Sequence, residues 1–113
     1  MTRSTNNIIA TTTDGLPGRE VAEVLGIVRG STVRAKHIGS DIVASLRNLV
    51  GGEVREYAQL LAAAREQAFD RMLADAASLN ADAILAVRME TSTIQQAASE
   101  VVVYGTAVRL RPL

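Results

Sequence analysis

One long amphipathic segment, residues 53–79, limits the possible folds of this chain more than any other part of it. Apolar side chains recur along it at steps of three and four residues: Tyr57, Leu61, Ala64, Ala68, Met72, Ala76 and Leu79. This period places them on one face of an α-helix. The face is about 100° wide or more, so we expect the helix to pack on a sheet and not in the narrow seam of a coiled coil. Acidic residues on its other side, such as Asp75, are at spacings that predict ion pairs with Arg65 and Arg71.

The end of this helix is predicted at Asn80, because asparagine tolerates the left-handed conformation that commonly follows a helix. Two apolar segments come next, residues 83–89 and 101–110. They are typical of the two strands of a β-hairpin. The polar residues 91–99 between them predict a long, mobile connection.

The first half of the chain predicts further strands and a second, shorter helix. Residues 8–12 favour a short strand, and residues 20–36 favour one or two strands with a bulge or bend at a glycine, Gly26 or Gly30. Ser40 is a good N-cap, so a short helix is predicted to follow it and to run to about Leu49. The expected fold is a single α+β domain over residues 1–113, with one long and one short helix packed on a mainly antiparallel sheet.

Both faces of the last strand carry apolar side chains, which bears on assembly. On one face lie Val101, Val103 and Ala107; on the other lie Val102, Tyr104, Val108 and Leu110. A single layer of helix covers one face of a sheet only. We therefore expect a neighbouring subunit to cover the second face.

Composition excludes several classes of protein. The 113 residues contain 12 basic and 12 acidic side chains, so no net charge draws the chain to nucleic acid or to an anionic membrane. No apolar run approaches the ~20 residues that span a bilayer, and the amino terminus lacks the apolar core of a signal peptide. Cysteine is absent, which excludes disulfides and thiolate metal ligands. A soluble, cytoplasmic protein is expected.

Several residues in combination match a known family. They include Ala64-Arg65, Ala68, Met72, Ala76, residues 79–84 and 105–108, and earlier Thr11-Thr12, Gly15, Gly26, Gly30 and Gly51-Gly52. With these, the chain resembles the YbjQ-like family of uncharacterised small bacterial proteins. The resemblance implies an α+β subunit of a ring, commonly a homopentamer, and some family descriptions carry a heavy-metal-binding label. Asn80 and Asp82 depart from the family's usual Gly and Asn, but both keep the turn chemistry.

The sequence offers few side chains that could bind a heavy metal. His37 is the only histidine, and no thiolate is present. Zinc and copper prefer histidine and cysteine ligands. A metal site could take His37 from several subunits around a symmetry axis; without that, it would rest on carboxylates and on Met1, Met72 and Met89. The alternative is a surface histidine in a loop, with no ligand role.

A basic segment offers a different ligand chemistry. It contains Arg29, Arg34, Lys36, His37 and Arg47, with Asp41 as its one acid. Arg34 and Lys36, together with backbone N–H groups near Ser40 at the predicted helix start, could hold a phosphate or another small anion. A solvated surface, or ion pairs between subunits, would explain the same residues.

The sequence contains no recognisable catalytic motif. No acidic pair stands out as a general acid and base, and no nucleophile elbow, phosphate-binding loop or dinucleotide fingerprint occurs. We therefore predict no catalytic residue and no cofactor. The expected function is that of a non-enzymatic, oligomeric binding or scaffold protein; the alternative is a metal- or anion-binding module with sites between subunits.

Overall fold

The part of the chain that the structure describes contains one long α-helix and four β-strands. The computed structural model describes residues 5–35, 52–95 and 98–113. After a 3-10 turn, Thr5–Asn7, the elements are β1 (Ile9–Ala10), β2 (Val21–Ala35), α1 (Gly52–Ser78), β3 (Ala83–Gln95) and β4 (Ala98–Leu110). The predicted long helix is confirmed to within a residue at each end.

The helix ends as its sequence predicts. Asn80 has a φ of 60°, in the left-handed region. The N–H of Ala81 donates to the carbonyl of Ala76 at 3.1 Å, so one of the last helical carbonyls keeps a partner. This turn sends the chain directly into β3.

The strands form one mixed sheet in the order β1-β3-β4-β2. β3 and β4 form the predicted antiparallel hairpin, and β2 pairs antiparallel with β4. β1 lies parallel to β3, with Ile9 opposite Ala83. The predicted bulge in β2 is confirmed near Gly26, where the register shifts and φ is 126°.

The helix packs on one face of this sheet through small side chains. Ala64, Ala68, Met72 and Ala76 are fully buried against Val28, Val101 and Val103. Thr32, only 4% exposed, donates from its hydroxyl to the carbonyl of Ala64 at 3.0 Å. The helix backbone therefore runs unusually near the strand.

Gly30 is the residue that permits this close approach. A Cβ atom at Gly30 would collide with the carbonyl oxygen of Ala68 and the amide nitrogen of Met72. Both are backbone atoms of the helix, which cannot turn aside as a side chain can. Gly30 was predicted as a possible bend, but its role is to let helix and strand touch.

The predicted fold class is wrong in its helices and its ring. The described residues contain a single α-helix on a four-stranded mixed sheet, not a long helix with a short one, and they define no ring. The segment predicted as the short helix, residues 40–49, lies outside the described residues. The parallel β1 strand also makes the sheet mixed.

The polar segment predicted as a mobile connection is mostly strand. Thr91 pairs with Val101 and Thr93 pairs with Ser99, so both strands of the hairpin continue through it. Backbone pairing does not require apolar side chains, and threonine favours extended structure. The hairpin is therefore much longer than predicted.

Part of the second sheet face is covered by the chain itself. Ala83, Leu85, Val108 and Leu110 are buried in a second cluster, with Leu16 and Val21 packed against it. The two faces of β4 are as predicted, but here no neighbouring subunit is needed. Leu16 comes from the segment that links β1 to β2, a contact that the sequence pattern did not predict.

Candidate functional site

No other described element packs on the rest of the second sheet face, opposite the helix. We call it the outer face; it comprises Val24, Ile27, Arg29, Ser31 and Val33 on β2, Val102, Tyr104 and Thr106 on β4, and Arg88, Glu90 and Ser92 on β3. Three β2 side chains are largely exposed: Val24 by 65%, Ile27 by 72% and Val33 by 54%. Large apolar side chains exposed together on one strand are typical of a contact surface.

The same strand forms a free edge of the sheet. Among the described strands β2 pairs with β4 alone, and its 15 residues make it the longest of them. An edge strand offers unpaired N–H and C=O groups to another chain. The apolar outer face and this edge thus meet along β2.

Two helix side chains occupy the middle of that edge. Asp75 accepts a hydrogen bond from the backbone N–H of Arg29 at 3.1 Å, and Arg71 donates to the carbonyl of Ser31 at 2.6 Å. Arg71 and Asp75 lie one helical turn apart, so both reach the strand from the same side of the helix. They were predicted to pair within the helix, but they bind strand backbone instead.

A polar group interrupts the apolar part of the outer face. The Tyr104 hydroxyl donates to Glu90 Oε1 at 3.2 Å. The negative charge of Glu90 and this hydrogen bond raise the pKa of Tyr104 above 10.0, and Arg88 nearby opposes the rise. Arg88 itself donates to the carbonyl of Thr12 at 3.1 Å, which fixes it at the β1 side of the face.

Most of the residues predicted to bind an anion or a metal lie outside the described part of the chain. Lys36, His37 and Ser40 lie outside the described residues. Arg34 is opposite Ser99 in the β2–β4 ladder, near the end of β2. The predicted anion and metal sites therefore stay predictions.

The described residues do not fit a heavy-metal site. In the three described ranges, no group of three His, Cys, Asp or Glu side chains is placed to hold a metal ion. Such sites usually need three or four protein ligands.

Among the same residues, no helix is long and apolar enough to span a membrane.

The sequence did not predict that β2 is an edge strand or that its apolar side chains are exposed. Ile27 and Val33 look like ordinary core positions in a β-prone segment, because nothing local shows that the strand is at the border of the sheet. The one available signal was the presence of apolar residues on both faces of the strands.

The fold defines a class, that of small α+β proteins with one helix on a mixed four-stranded sheet. Within it, the chain belongs to the YbjQ family: residues 8–111 match the family model described as "Putative heavy-metal-binding". The family resemblance noted from the sequence is thereby confirmed.

Similar proteins occur in archaea as well as bacteria, so the family is broader than the bacterial one expected. A UPF0145 protein of Archaeoglobus fulgidus is 56% identical over 92% of this chain and 96% of its own length. The UPF0145 protein TTHA1944 of Thermus thermophilus is 54% identical over 93% of this chain and 92% of its own. One from Shewanella frigidimarina is 48% identical over 93% of this chain and 98% of its own. These names specify no ligand and no reaction.

Proposed function

We propose that this protein is a subunit of a homo-oligomer that acts as a non-enzymatic binding or scaffold protein. The observation that carries the proposal is the outer face along β2, where Val24, Ile27 and Val33 are exposed beside a free strand edge. Burying such side chains against a partner contributes about 25 cal/mol per Å² of apolar surface removed from water.

A second copy of this chain is the partner that the charges favour. The outer face carries both signs: Arg29 and Arg88 lie on either side of Tyr104, and Glu90 lies opposite Val102. The whole chain has no net charge. Copies therefore do not repel one another, and proteins near zero net charge associate readily.

Light scattering at micromolar concentration tests the assembly. We expect a mass that is a multiple of 12.0 kDa. The homopentamer implied by the family resemblance would have five times 12.0 kDa, about 60 kDa. Ile27→Lys should lower the mass, because a lysine ammonium loses its hydration when it is buried in an apolar contact.

A matched control is Glu66→Lys, an exposed substitution on the helix. It should leave the mass unchanged, with the fold of both variants checked by circular dichroism. A wild-type mass of 12.0 kDa throughout would refute the proposal. Equal masses for wild type and Ile27→Lys would show that the subunits do not contact one another through the outer face.

Metal binding is the alternative that the family description favours. Zinc, copper and nickel would be titrated against wild type and His37→Ala by calorimetry. Binding that depends on His37 would support a site built from several subunits. Identical weak binding in both proteins would exclude that site.

A further inference from the structure

A surface pocket opens at the end of the sheet where β3 begins and β4 ends. Its volume is about 370 Å³, and its walls include Asn7, Ile9, Arg19, Asp82, Arg109 and Pro112. The exposed outer-face residues of β2 do not line it. The pocket is therefore separate from the proposed assembly surface.

Two arginine side chains are held in place at this pocket by backbone carbonyls. Arg109 Nη1 donates to the carbonyl of Asn80 at 3.1 Å, and Arg19 Nη2 donates to the carbonyl of Arg111 at 3.4 Å. Each bond uses one of the five N–H donors of a guanidinium. Both groups are thus oriented and keep donors for another partner.

Arg19 also has a donor that the protein leaves unsatisfied. Its Nε atom is buried and has no hydrogen-bond partner. A buried donor on a charged group is costly without an acceptor, and such groups in native proteins call for an explanation. A ligand in the pocket cannot reach Nε while that atom is closed to solvent, so Arg19 would contact a ligand through its Nη donors.

The nearby acidic groups have other partners. Glu20 pairs with Arg111, with Oε1 to Nε at 3.3 Å. Asp82 Oδ2 accepts the backbone N–H of Leu110 at 2.8 Å. Because Asp82 also lines the pocket, it offsets one of the two positive charges and favours a ligand with a single anionic group.

We infer that this pocket binds the oxyanion group, a carboxylate or a phosphate, of a small ligand, and that Arg19 and Arg109 are its binding residues. The planar guanidinium matches both groups through paired N–H donors. Ile9 and Pro112 offer apolar surface to the rest of the ligand. The volume is near the lower limit of ligand pockets, which favours a ligand of few atoms.

Calorimetric titration of the full chain with acetate, butyrate and phosphate tests the pocket. Sodium chloride keeps the ionic strength constant and is the reference anion. We expect saturable binding of at least one oxyanion and about tenfold weaker binding in Arg109→Gln, the loss expected for one charge-assisted hydrogen bond. Arg19→Lys should weaken binding as well, because it keeps the charge but removes the planar fork of Nη donors.

Arg65→Gln is the matched control, since Arg65 is an exposed arginine of the helix; it should bind as wild type does. Tighter binding of butyrate than acetate would identify a carboxylate ligand with an apolar body, and tighter binding of phosphate a phosphorylated one. Both results support the pocket. Binding no stronger than that of chloride, or unchanged in Arg109→Gln and Arg19→Lys, would overturn it. Light scattering on the same samples keeps this outcome distinct from a failure of assembly.

Discussion

Gly30 shows how a single hydrogen atom in place of a side chain sets the spacing of two elements. The position faces the backbone of α1 at Ala68 and Met72. Gly30→Ala should lower the free energy of unfolding by about 1–3 kcal/mol, because the helix must shift to admit the methyl group. Urea unfolding at one protein concentration measures the change.

Gly15→Ala is the control for this substitution. No heavy atom lies within 4 Å of a Cβ atom built at Gly15. Stability should stay the same or rise slightly, since alanine restricts the unfolded chain. Equal stability of the Gly30 and Gly15 variants would show that α1 and β2 are not packed as closely as described.

Tyr104 makes a second prediction at the residue scale. Glu90→Gln should lower the pKa of Tyr104 toward 10.0, because the charge of Glu90 is the main cause of the rise. The phenolate absorbance reports this titration in a Tyr57→Phe background, where Tyr104 is the one remaining tyrosine. An unchanged pKa would mean that Glu90 does not contact the hydroxyl.

The direction of the pH effect on stability follows from the same shift. A raised pKa in the folded state means that this contribution of Tyr104 is fully present below its unfolded pKa of ~10 and is lost as the pH rises through the folded value. The alkaline loss of stability should therefore be smaller in Glu90→Gln. Urea unfolding on both sides of this pH range measures it, with Glu66→Gln as the control.

At the scale of elements, α1 both covers the sheet and protects its edge. The bond from the Arg29 N–H to Asp75 gives an edge amide a partner that is not a strand. Asp75→Ala should speed hydrogen exchange of the Arg29 amide about tenfold, the factor that corresponds to ~1.4 kcal/mol. Asp75→Asn keeps an acceptor and should have a smaller effect.

Asp70→Ala serves as the matched control, since it removes another exposed carboxylate from the same helix. The exchange rate of the Arg29 amide should not change in this variant. If Asp75→Ala also leaves that rate unchanged, the helix does not protect the edge.

The whole molecule has long elements and a thin cross-section. Thirteen residues of β4 extend over about 44 Å, and the 27 residues of α1 over about 40 Å. One helix cannot cover both faces of such a sheet, and Leu16 covers only one end of the second face. The open remainder is the physical basis for expecting assembly.

Assembly should make thermal stability depend on concentration. If subunits bind one another only when folded, mass action raises the melting temperature as the protein concentration rises. Differential scanning calorimetry over a wide concentration range should show this rise in wild type and a weaker one in Ile27→Lys. A melting temperature independent of concentration in wild type would argue against coupled folding and assembly.

Local patterns were sufficient for the elements that depend on local forces. The period of apolar residues predicts α1, and the tolerance of asparagine for positive φ predicts its end at Asn80. The hairpin and the bulge near Gly26 follow from short-range signals as well. Each of these features is determined within a few turns of helix or a few residues of strand.

A long helix, its end at Asn80, a hairpin and the family of the protein could thus be predicted before the fold was known. The folded structure was needed to show that β2 is an edge strand, that β1 runs parallel to β3, and that Leu16 covers part of the second sheet face. It alone brought Arg19 and Arg109 to one pocket, although 90 positions separate them in the sequence. The physical reason is that strand order and side-chain contacts between distant segments depend on how the whole chain buries its surface, and no local period records that choice.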